Sequence, residues 1–95
     1  MHVITRKRLN DFAERHPDCK SGLAQWFKEI HGRSFCDIQE IRAIFPHADK
    51  VGKFTVFNIG GNKARIIAAI HYNRGRVYIR HVLTHSEYDL SLIHI

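Results

Sequence analysis

The sequence predicts an α+β fold, with two to three N-terminal helices packed on one face of a small antiparallel sheet, a meander over residues 54–85. Three observations predict it. The first half repeats apolar residues at helical spacing. The stretch Phe54 to Asp89, FTVFNIGGNKARIIAAIHYNRGRVYIRHVLTHSEYD, alternates apolar and polar residues and is interrupted twice by glycine turns. Nearly all of the net +6 charge also falls there. Lys50 to Ser86 holds Lys50, Lys53, Lys63, Arg65, Arg74, Arg76 and Arg80 with no Asp or Glu, while the first 49 residues nearly balance. A sheet with that field attracts a polyanion, and an RNA or DNA backbone is the commonest one.

The 95 residues are read as one small domain spanning 1–95. There is no run of about 18 apolar residues that could span a membrane. The N-terminal MHVITRKRL lacks the apolar core of a signal peptide. Cys19 and Cys36 are too few for a disulfide framework. A cytoplasmic protein with reduced thiols and no membrane partner is expected.

His2 to Ile4 is a candidate edge strand. Thr5 can cap the first helix, in which Leu9, Phe12, Ala13 and His16 share a face. Pro17 closes that helix or opens the next. Leu23, Trp26, Phe27 and Ile30 form the apolar face of a second helix, with Gly32 a natural stop. Ser34 and Asp37 have capping-box spacing. Ile38, Ile41 and Phe45 give a third, shorter helix ended by Pro46, and 47–53 reads as polar connection.

The strands can be tested against one another. Arg74-Gly75 reads as a two-residue hairpin loop. That register sets Ile66 against Leu83, Ala68 against His81, Ile70 against Ile79 and Tyr72 against Val77, one mostly apolar face. Lys63, Arg65, Ile67, Ala69 and His71 then share the other face with Tyr78, Arg80, Val82 and Thr84. Across the Gly60-Gly61-Asn62 turn, Thr55, Phe57 and Ile59 join the apolar face, and Phe54, Val56 and Asn58 the basic one. The expected result is a partly open face holding Asn58, Lys63, Arg65, Arg80 and Thr84.

After the last strand comes Thr84-His85-Ser86-Glu87-Tyr88-Asp89. In a helical turn His85 and Tyr88 share one side. With Arg65 opposite Thr84, an imidazole, a phenol and a guanidinium come within reach of one phosphate. RNA cleavage without a metal needs such a set. A base takes the ribose 2′-hydroxyl proton, a cation stabilises the phosphorane-like transition state, and an acid protonates the departing 5′-oxygen. Histidine suits either proton role, arginine the electrostatic one, and tyrosine can transfer a proton or stack on a base.

Each of these residues has a plainer reading. A histidine near a strand end is usually a surface or packed residue. His81, on the apolar face, reads as buried and hydrogen-bonded, and His71 reads at most as a contact. Arg80 can pair with a helix carboxylate, and Tyr88 can plug the sheet edge. Arg6-Lys7-Arg8 is a solvated face or a secondary RNA contact. No cofactor is expected. His81 and His85 are roughly 13 Å apart at about 3.3 Å per residue, too far to share a metal. Gly60-Gly61-Asn62-Lys63 lacks the spacing of a phosphate loop.

Several runs carry a family likeness. They are Phe45-Pro46-His47-Ala48-Asp49-Lys50-Val51, Val56-Phe57-Asn58-Ile59-Gly60-Gly61-Asn62-Lys63, Arg65-Ile66-Ile67, Ile70-His71-Tyr72, Val77-Tyr78-Ile79-Arg80 and Thr84-His85 with Glu87-Tyr88-Asp89. They resemble the HigB-type toxins of bacterial type II toxin–antitoxin systems, in the RelE-like mRNA interferase superfamily. The likeness runs from Met1 to Asp89.

The resemblance implies a RelE-like fold and an endoribonuclease that cuts mRNA on the translating ribosome and so arrests translation. It implies a co-encoded HigA-like helix-turn-helix antitoxin, through which alone the toxin would meet DNA. Arg65 resembles the arginine that holds the scissile phosphate, and His85 and Tyr88 the C-terminal catalytic pair, the assignment of the base remaining open. Asn58, Lys63 and Arg80 resemble supporting contacts, and Thr84, Lys50 and Lys53 complete the expected RNA-binding set.

The chain departs from the family pattern in two places. Leu90 to Ile95 is an apolar ending, an extra edge strand or a product of the gene end, that would obstruct the site if it packed over the basic face. Ala64 is smaller than the bulky residue expected there and should loosen the core slightly. Two other functions fit the charge pattern: a non-catalytic RNA- or ribosome-binding module, and an inactive toxin homologue kept for antitoxin binding.

Overall fold

The computed structural model describes residues 1–60, 63–84 and 86. The tail Leu90–Ile95 lies outside these residues. The order is β1 (His2–Ile4), α1 (Lys7–Arg15), a 3-10 turn at Pro17–Cys19, α2 (Lys20–His31), α3 (Ile38–Ile44), β2 (Asp49–Val51), β3 (Phe54–Ile59), β4 (Ala64–His71), a 3-10 turn at Tyr72–Arg74 and β5 (Arg76–Thr84). Among the described residues the sheet has five strands in the order β1-β5-β4-β3-β2. Every neighbouring pair is antiparallel except β1 with β5. This is the expected α+β fold.

The helices form where apolar spacing allows one face to be buried. Leu9 and Phe12 of α1, Leu23, Trp26 and Ile30 of α2 and Ile41 of α3 are buried in one cluster. They meet Phe57 and Ile59 of β3, Ala64, Ile66 and Ala68 of β4, and Val77, Ile79 and Val82 of β5. Trp26 and Phe45 each set a ring edge-on to Phe57, at 5.4 and 5.3 Å between centroids. α2 lies close on β3, because a Cβ at Gly22 would stand 2.7 Å from Ile59 Cγ2. Ala64 is fully buried in this cluster, on the helix side of β4.

Two capping expectations change. The Thr5 hydroxyl does not cap α1; it donates to the Ile79 carbonyl at 2.9 Å. Thr5 has a left-handed φ of 66°, which leads the chain out of β1 directly into α1. The capping box begins at Asp37, not Ser34. Asp37 Oδ1 accepts from the Glu40 N–H at 3.1 Å, and Glu40 reaches back to the Cys36 N–H at 2.6 Å.

The segment expected as polar connection contains a strand. β2 pairs Asp49 with Val56, Lys50 with Thr55 and Val51 with Phe54. Its turn is tight because Gly52 takes a φ of 61°. Arg42 pins the approach by donating from Nε to the Ala48 carbonyl at 3.1 Å.

The β4–β5 register also differs. Ile66 pairs with Val82 rather than Leu83, Ala68 with Ile79 rather than His81, and Ile70 with Val77 rather than Ile79. Tyr72 lies in the loop and not opposite Val77. A two-residue loop in a favoured hairpin turn would need left-handed φ at both Arg74 and Gly75, or at Arg74 alone. Only the glycine adopts it, at 63°, so Tyr72–Arg74 winds into a 3-10 turn and the loop grows to four residues. A bulge then follows: Ile67 pairs with His81 but Ala68 with Ile79, leaving Arg80 as the extra residue. The bulge turns Val82 into the core and His81 out. His81 is therefore exposed, not buried, because burying an imidazole where a valine fits would leave polar atoms without partners.

Candidate active site

Arg65 lies near the middle of the sheet, on β4, opposite Asn58 of β3 and Leu83 of β5. Arg65 and Asn58 alternate with the core residues Phe57, Ala64 and Ile66, so both point away from the helices. That is the face expected for them. Both are half-buried. The Asn58 side-chain oxygen is buried without a hydrogen-bond partner among the described residues. A buried acceptor left unmatched costs about 1–3 kcal/mol, so this position favours a donor brought by a ligand.

Beside this polar row, Val56 and Ile67 face each other on the same side of the sheet and are 3% and 0% exposed. The face away from the helices is thus less open than expected. Tyr78, opposite Ala69, continues it, and His71 lies edge-on to Tyr78 at 5.0 Å. Cation, buried apolar patch and aromatic ring succeed one another along the face. A cation and an aromatic ring on one face are the elements by which single-stranded nucleic acid is generally held, phosphate on the cation and base on the ring.

The other expected residues are more dispersed. Thr84 pairs with Ala64, not Arg65, and so lies on the helix side. Lys63 stands at the β3–β4 turn, its Nζ 4.0 Å from Asp18. Lys50 is opposite Thr55, again on the helix side. With Lys53 it lines a cleft of about 260 Å³ that also includes Ile38, Ile70 and Tyr72. Burial raises the Tyr72 phenol above its usual pKa of 10.0, against a lowering hydrogen bond from Thr55. Lys53 Nζ lies 5.5 Å from the centre of the Phe54 ring. Arg80 is exposed in the bulge and meets no carboxylate within ion-pair distance among the described residues. His85 and Tyr88 lie outside the described residues.

Sequence reasoning missed His81 as an exposed residue of this region. The signal was the spacing of Val77, Ile79 and Val82, whose last step is three and not two. Among the described residues no group of three or more His, Cys, Asp or Glu could hold a metal. No described helix is long and apolar enough to cross a membrane.

The comparisons with known proteins point to one family. The HigB toxin family, described as the RelE-like toxic component of a toxin–antitoxin system, matches residues 19–91. The chain belongs to this family. It is 39% identical over 92 residues to the mRNA interferase toxin HigB of Escherichia coli (strain K12), covering 94% of this chain and 88% of that one. The mRNA interferase HigB of Shigella flexneri matches at the same identity and coverage. The mRNA interferase HigB of Escherichia coli O6:H1 is 30% identical, covering 94% of this chain and 89% of its own. An antitoxin partner follows from the family, as the sequence resemblance implied.

Proposed function

We propose that the chain is a type II toxin acting as a metal-independent endoribonuclease that cuts mRNA on the ribosome and so blocks translation. The observation that carries this reading is Arg65, held on the face away from the helices directly against Asn58 and its unmatched acceptor. The curated relatives are mRNA interferases by name, which supports the same reading.

In this account Arg65 binds the scissile phosphate and stabilises charge as the 2′-oxygen attacks. Asn58 accepts a hydrogen bond from the ribose. His85 and Tyr88 supply and remove protons. Lys63 and Arg80 hold the flanking backbone. Thr84, Lys50 and Lys53, placed towards the helix side or its rim, make secondary contacts. The protein works in the cytoplasm and is neutralised by a HigA-like helix-turn-helix antitoxin, through which alone it is linked to DNA.

Expression without antitoxin should arrest growth and produce new mRNA 5′ ends. His85→Ala or Arg65→Ala should restore growth and remove those ends. Full toxicity in both variants would refute the site assignment, and arrest with intact transcripts would identify a binder that does not cut.

A further inference from the structure

The bulge in β5 and the left-handed turn at Thr5 build a second feature beside the site. β1 pairs with β5 only at Arg76, Val77 and Tyr78, then leaves the sheet at Ile4. The Thr5 hydroxyl takes the next carbonyl, that of Ile79. Beyond it α1 and the bulged end of β5 enclose a cleft of about 240 Å³ lined by Thr5, Arg8, Tyr78, Ile79, Arg80 and His81. Arg8, Arg80 and His81 are exposed, and none meets a carboxylate within ion-pair distance among the described residues. Among the described residues the cleft lining contains no acid. A smaller adjoining cleft of about 160 Å³, sharing Arg8 and His81, adds Arg15 and one acid, Asp11.

The local backbone is unusual in two ways. A β-branched residue with positive φ is strained and persists only where its surroundings impose it. A bulge re-aims side chains at a sheet margin. Here the two together set Arg8 of the first helical turn beside Arg80 and His81. His81 is also the diagonal neighbour of Arg65 across β4 and β5, since Arg65 pairs with Leu83 and Ile67 with His81. Such neighbours lie roughly 7–8 Å apart, about one step between phosphates on an extended strand.

We propose that this α1–β5 cleft binds a backbone phosphate of single-stranded RNA next to the nucleotide held at Arg65, with Arg8 and His81 as its principal contacts. The inference rests on the nuclease reading and extends it, giving the bound strand a direction: off the sheet face, over the β5 edge and along α1. Arg8 and Arg15 lie seven apart on α1, about two turns, with Asp11 between them, so the phosphate track ends within the first two turns.

The test uses the full chain and a single-stranded 2′-O-methyl RNA of about ten nucleotides, which has no free 2′-hydroxyl and is not cut. Its dissociation constant is measured across a salt series for wild type, Arg8→Gln, His81→Gln and Arg65→Ala, with Lys28→Gln on α2 as a charge control. Each lost phosphate contact lowers the salt slope by about 0.7 for a single strand. Arg8→Gln should weaken binding about tenfold with that change in slope, and His81→Gln several-fold. Lys28→Gln should stay within about twofold of wild type. Mixed outcomes are also decisive. Loss at Arg65→Ala with Arg8→Gln and His81→Gln no weaker than Lys28→Gln would overturn the cleft and leave the nuclease reading intact. Absence of binding by wild type would overturn the cleft as well. Weakening at Arg8 and His81, with mRNA cleavage undiminished by Arg65→Ala, would support the cleft and refute the nuclease site.

Discussion

Arg65 and Asn58, the pair on which the proposed site rests, sit opposite each other on β4 and β3. Arg65 occupies a central strand where a side chain is fixed by two neighbours, so its guanidinium is aimed before any ligand arrives. Asn58 offers an acceptor without a hydrogen-bond partner among the described residues. Removing that acceptor therefore costs the fold little. Asn58→Ala should leave the melting temperature within a few degrees of wild type while lowering the cleavage rate, a split readable by thermal unfolding beside an mRNA cleavage assay.

The two cysteines differ just as sharply. Cys19 is buried, and its thiol pKa is raised, first by that burial and then by the charge of Asp18, whereas Cys36 is exposed. Thiolate is the reactive form. Iodoacetamide should label Cys36 first, and Cys36→Ser should abolish the fast phase.

Tyr72 gives a sign for alkaline stability. Its folded pKa is raised, so its contribution is intact below the unfolded pKa near 10 and is lost as pH rises through the folded value. Tyr72→Phe should make the alkaline fall in stability shallower, measured by urea unfolding between about pH 9 and 11.

At the scale of elements, the register of β5 decides which of its side chains face away from the core. Its bulge at Arg80 puts Val82 inward and His81 outward. Deleting Arg80, the extra residue, should remove the bulge and restore strict alternation with His81 still outward and Val82 still inward. The deletion should therefore still fold, as should Arg80→Ala, and thermal unfolding that showed the deleted chain unfolded would contradict this register. The cap of α3 is a smaller and separate matter. Asp37→Ala should cost about 0.5–2 kcal/mol in denaturant unfolding.

These elements also show what could be read beforehand. The burial of Thr55, Phe57 and Ile59, the helical stripes of Leu9, Phe12, Leu23, Trp26 and Ile30, and the outward direction of Arg65 all followed from periodicity. The β4–β5 register did not. A period of two is blind to one inserted residue, and Arg74-Gly75 resembles a tight turn until the cost of left-handed φ at arginine is counted. β2 was missed for a related reason. Its three residues are held by pairing with β3, and a run that short shows no alternation of its own. Lys50 and Thr84 consequently lie towards the helix side, so charge density along the sequence overstated how many cations gather at one place.

On the scale of the whole molecule, the helices pack on one side of the sheet, and Arg65 and Asn58 lie on the other beside the buried Val56 and Ile67. Stability then depends on one core. Phe57 is fully buried and touches both Trp26 and Phe45 edge-on. Its truncation to alanine should cost about 3–5 kcal/mol, a large share of the roughly 5–15 kcal/mol of a typical domain. The net +6 charge gives a long-range attraction for RNA that salt should weaken.

The proposed role of the outward Arg65 guanidinium, stabilising a cleaving phosphate, is measured most directly by the single-turnover cutting rate of ribosome-bound mRNA by wild-type protein and by Arg65→Ala, both shown to be folded. A loss of about 10²–10³-fold, the size expected for removing one transition-state donor, is the predicted result. Equal rates for the two proteins would contradict it.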